Sequence, residues 1–108
     1  MGSSTELPGQ FDEHVRRALD ALPADLARGL ENVAVVVEEE HPGEPDLFGL
    51  FEEAPYLPAK VTIYRRPLEE AFGDDPQELE HEIRTTVLHE LAHYFGIDEN
   101  RLEELGYQ

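Results

Sequence analysis

Residues 89 to 93 read His-Glu-Leu-Ala-His, an H-E-x-x-H. On a helix this four-residue spacing puts both imidazoles on one face, one turn apart, where they can meet a single metal ion. Two imidazoles leave such a site incomplete. A catalytic zinc takes three protein ligands and keeps a fourth position for water. Gly96 suggests where the third ligand comes from: if the helix stops there and the chain folds back, Glu99 comes within reach, giving H-E-x-x-H-x-x-G-x-x-E. Asp98, one place earlier, competes for that role, and Glu103 and Glu104 are more distant alternatives. Glu90 is rotated by about a third of a turn from His89 and suits a carboxylate bonded to the metal's water, the position of a general base. The expected cofactor is Zn2+, with metal ligands His89, His93 and Glu99 and catalytic residue Glu90. In a chain this rich in Glu the pentapeptide alone arises by chance at a rate of about 4%, and the glycine and acid at the right offsets make coincidence far rarer. The bland alternative is a pair of surface histidines near a helix end, where the dipole favours positive charge.

A motif of this kind needs a long helix, and the sequence supplies one. Asp75 and Pro76 read as a capping residue and a proline at the first helical position. Leu79, Ile83, Val87, Leu91 and Phe95 then recur at every fourth residue, a core-facing stripe. Upstream, Phe11, Val15, Ala18, Leu19 and Leu22 form a second helical stripe, and Leu26 and Leu30 mark a short helical or irregular stretch after Pro23. Val33 to Val37 is a β-branched run that predicts a strand, and Val61 to Tyr64 predicts another. Leu47 to Phe51 is apolar enough to pair with or cap the sheet, whereas Ala54 to Pro58 is too rich in proline for a central strand. Leu68, Ala71 and Phe72 suggest a short amphipathic turn closed by Gly73, and Glu99 to Leu105 a last helix. Residues 1–10 read as a flexible N-terminus and 11–108 as one domain.

Charge narrows the partners. The 108 residues carry 25 Asp and Glu against 8 Lys and Arg, a formal charge of -17, which repels nucleic-acid backbones and anionic membranes. No apolar run approaches a membrane span, and the first ten residues lack the features of a signal peptide, so the expected compartment is the cytoplasm. Without cysteine there is no disulfide framework or thiolate metal site. His14, His41 and His81 read as solvated, and Arg65 and Arg66 as partners of nearby carboxylates.

From Phe11 to Gly106 the chain resembles the small bacterial zincin-like metallopeptidases, which end in a helix bearing H-E-x-x-H-x-x-G-I-x-[DE] and, shortly after it, an R-L pair. The matching residues are His89, Glu90, His93, Gly96, Ile97, Glu99, Arg101 and Leu102. Upstream, Gly49, Leu50 and Phe51 match a Gly-Leu-aromatic step, and Ile63 through Leu68 match a strand exit ending in R-P-L. The sequence departs from many relatives at Tyr94, where they carry His, and at Glu99, where others carry Asp; the extra methylene keeps Asp98 open as third ligand. The resemblance implies an α+β, minimal zincin-like fold, with a small mixed β-sheet packed against an N-terminal helix and a long metal-bearing C-terminal helix. It also implies zinc on His89, His93 and Glu99, with Glu90 as base.

Two functions follow as expectations. One is a zinc-dependent peptidase acting on peptides or unfolded protein, with an edge strand holding the substrate and the acidic surface favouring basic chains. The other is a zinc-stabilised peptide- or protein-binding module with little proteolysis. Only Met1 is a methionine, so the methionine turn of larger zincins has no counterpart here, and a second copy or a partner is the expected means of completing the cleft. Tyr64, Tyr94 and Tyr107 are the candidates for an oxyanion donor.

Overall fold

A computed structural model describes residues 8–95 and 99–104, with side chains for 10–92 and 100–104. The β-branched run forms β1 (Val33–Glu38), which pairs in parallel with β3 (Leu57–Tyr64), and β2 (Gly49–Ala54) pairs antiparallel with the other edge of β3. Strand order is β1-β3-β2, a small mixed sheet. Parallel neighbours cannot be joined by a tight turn. The chain therefore leaves β1 through the 39–48 loop, lays down β2 at the edge, and returns through a turn at Pro55 and Tyr56 into the central position.

Leu47 to Phe51 pairs with the sheet as expected, its last three residues opening the edge strand β2. One expectation needs correcting: β3 starts at Leu57, so a proline lies within the central strand. Pro58 is tolerated because it falls at the register irregularity between Glu52 and Ala54, where it has no partner on β2, and β1 begins only opposite Ala59, so neither ladder loses a bond at the proline.

The helices are α1 (Pro8–Asp20), α2 (Ala24–Gly29), α3 (Arg65–Phe72), α4 (Pro76–Phe95) and α5 (Glu99–Glu104). Helix α1 reaches back to Pro8, into the stretch expected to be flexible; proline's fixed φ suits a first helical turn. Asp75 caps α4 as expected, its Oδ1 accepting the Gln77 N–H at 2.9 Å. The predicted stripe of α4 is buried through Leu79, Ile83, Val87 and Leu91. It packs against Phe11, Val15 and Ala18 of α1, Leu68 of α3, and Ala59, Val61 and Ile63 of β3. A smaller cluster on another flank of α4 gathers Leu88, Leu22, Leu26 and Leu102, which ties α2 and α5 to the same helix. The architecture is the expected α+β one, a small mixed sheet packed against an N-terminal helix and the long helix α4. Among the described residues, no helix is long and apolar enough to cross a membrane.

The turn between β2 and β3 is strained. Tyr56 has φ 70 and is fully exposed, following Pro55 in the pattern of a type II turn, where glycine normally takes the left-handed position. Tyr56→Gly should therefore stabilise the fold by about 0.5–1 kcal/mol, the relief of strain being partly offset by the looser unfolded chain. Thermal unfolding should register this as a rise of a few degrees in Tm.

Candidate metal centre

Because α4 buries two flanks, a third is left for chemistry. Glu82, Thr86, His89 and Glu90 recur at steps of four, three and one along it and face Phe48 and Gly49 across a cleft of about 390 Å³. The two walls meet at Gly49. Thr86 donates its hydroxyl to the Glu82 carbonyl at 2.8 Å, and its methyl lies 2.5 Å from where a β-carbon on residue 49 would stand. The Thr62 carbonyl would be 3.2 Å from the same atom. Only a residue without a side chain allows β2 to come this close to α4.

That approach has a chemical consequence. The N–H of Phe51, two residues further along β2, donates to Oε1 of Glu90 at 3.1 Å. Glu90 is half-buried and bound to the strand through one oxygen, while His89 is exposed on the same cleft. No described residue engages the His89 imidazole. The other histidines with described side chains are occupied. His14 pairs with Glu80 at 2.6 Å, tying α1 to α4. His41 accepts the N–H groups of Gly43 and Glu44 at 3.0 and 3.1 Å and stands edge-on to Tyr64. His81 also takes part in an interaction. His14 and His41 are thus structural rather than solvated, which spacing could not reveal: Glu80 is 66 residues from His14.

His93 lies within α4, one turn after His89, and Glu99 is the first residue of α5. The side chains of both, together with Gly96, Ile97 and Asp98, lie outside the described set. Among the described residues no three His, Asp or Glu side chains group around a point that could hold a metal. The donor chemistry fits zinc nonetheless. An imidazole that no described residue engages, a second histidine four residues on and an acid six residues after that are the ligand types of a catalytic zinc, and Glu90 stands in the cleft that His89 lines.

The arginines behave as expected. Arg65 pairs with Glu39 and Glu69, and Arg66 with Glu40 at 3.2 Å. The Arg65 guanidinium hydrogen-bonds the Glu39 carboxylate and lowers its pKa. Tyr64 sits on the wrong face for an oxyanion donor. Ile63, opposite Gly49, faces α4, so the next residue along the strand points to the other side of the sheet, where burial and the charges of Glu38 and Glu52 raise its pKa. Tyr94 and Tyr107 lie outside the described side chains.

Sequence reasoning missed the anchor at Phe51 and the cleft residues Asp46 and Glu82. Glu82 lies seven residues before His89, so a helical projection from the motif would have found it.

A three-stranded mixed sheet whose edge strand crosses a helix carrying H-E-x-x-H defines a zincin-type domain. Residues 30–107 match the family model of the zincin-like metallopeptidases, and the chain belongs to that family. No curated protein matches it. Helix α1 precedes the matched span yet packs along α4.

Gly49→Ala should cost about 1–3 kcal/mol, because the added methyl must displace either the Thr86 methyl or the β3 backbone. Chemical denaturation measures the loss. The same substitution at Gly43, where the nearest atom to the new β-carbon would be 3.5 Å away on a side chain, serves as the neutral comparison.

Proposed function

We propose that the protein is a zinc-dependent peptidase in which His89, His93 and Glu99 hold the metal and Glu90 is the general base. Zinc, when bound at such a site, acidifies a water and polarises the scissile carbonyl. Glu90 takes the proton from that water and passes it to the leaving amine. One of its oxygens is committed to Phe51, so the other is the one that carries the proton. An extended peptide adds along the unpaired edge of β2 through the outward main-chain groups that Glu90 leaves free, which supply the affinity. Asp46 and Glu82 give the cleft a negative wall, which favours peptides with basic side chains. The observation that carries this reading is the half-buried Glu90 carboxylate held on the edge strand, in the cleft that His89 also lines.

Glu90→Gln should lower kcat by about 10²–10⁴-fold while the zinc content stays at one per chain. Metal analysis of the native protein, followed by digestion of a peptide library, reads both quantities. Hydrolysis that persists in this variant removes Glu90 from the role of base. Chelation should abolish cleavage, and added zinc should restore it. A protein that keeps its zinc and binds peptides but cleaves none would instead be a metal-stabilised binding module.

A further inference from the structure

Strand β2 is paired to β3 along one edge and, among the described residues, to no strand along the other. The Phe48 carbonyl accepts the Tyr64 N–H at 2.9 Å, and Leu50 and Glu52 face Thr62 and Lys60 in the same ladder. By the alternation of an antiparallel pair, Gly49 and Phe51 turn their N–H and carbonyl groups away from the sheet. Water or an added strand normally satisfies an outward amide of this kind. Here the Phe51 amide is satisfied by Glu90 instead, in a half-buried contact that joins residues 39 positions apart.

A glutamate on a helix surface turns about three side-chain bonds, and proton transfer needs one of its oxygens within hydrogen-bond reach of the reacting water. Binding Oε1 to a fixed donor removes most of that freedom. The donor is fixed because β2 is pressed onto α4 at Gly49, two residues away. We propose that the main-chain N–H of Phe51 is a positioning group: it holds the Glu90 carboxylate in place, so that Oε2 is presented to the reacting water. This rests on the reading of Glu90 as the base. The group belongs to the backbone, so a substitution at position 51 that keeps the N–H keeps this contact.

Amide hydrogen exchange on the full chain tests the contact without reference to activity. Glu90→Ala should accelerate exchange of the Phe51 amide by about tenfold or more, while Leu50 and Glu52, bonded to β3, keep their rates. Exchange at Phe51 that is unchanged by Glu90→Ala overturns the proposal. Kinetics on the zinc-loaded protein tests the consequence. Phe51→Pro removes the outward N–H, which the β3 ladder does not use, and Phe51→Ala keeps that N–H while losing the ring. The proline variant should show a kcat about 10–100-fold below that of the alanine variant, with KM and zinc content the same in both. Equal kcat values in the two variants overturn it. If the proline variant does not fold, the exchange comparison decides the matter. A wild-type protein that binds zinc yet cleaves nothing defeats the peptidase reading, whereas the exchange rates still report whether this amide holds the carboxylate.

Discussion

The site depends on how closely β2 can lie against α4. Gly49 sets that distance, since a β-carbon there would overlap the Thr86 methyl and crowd the Thr62 carbonyl. With the strand this near, its outward amide two residues on reaches the Glu90 carboxylate, and the gap beside the contact becomes the cleft. Strand, helix and carboxylate are therefore one mechanical unit. A change in the spacing of the two elements moves the carboxylate with it.

The core keeps that unit rigid from the far side of α4. Helices α1 and α3 and the inner face of β3 share one apolar cluster with the stripe from Leu79 to Leu91. Leu88 anchors the opposite flank to α2 and α5. A helix gripped on two sides can present the third without shifting, as a site with narrow geometric tolerance requires.

Charge is distributed unevenly over this frame. Arg65 and Arg66 draw the acidic end of β1 onto α3, Lys60 faces Glu52 across the hairpin, and Arg101 reaches Asp25 of α2. Exposed pairs of this kind add little stability. Their larger effect is on the field: Asp46 and Glu82 meet no cation among the described residues, so the cleft stays negative in a chain of charge -17.

Local pattern was enough for much of this. The every-fourth-residue stripe of α4, the cap at Asp75, the β-branched β1 and the H-E-x-x-H spacing depend on neighbours within a turn or a pleat, so they can be read directly from residue order. The second half of β2 and the start of β3 could not be read in this way, because Glu52, Glu53 and Pro58 look wrong for a sheet until the edge position and the register irregularity opposite Pro58 excuse them. The roles of His14 and His41 were equally hidden, since their partners are set by packing or by a loop's backbone. What the residues alone determined was the chemistry on offer, two imidazoles and a carboxylate on one helix. Tertiary structure decided which strand lies beside that helix and which amide holds Glu90, because both follow from a contact between segments 39 residues apart that no local periodicity encodes.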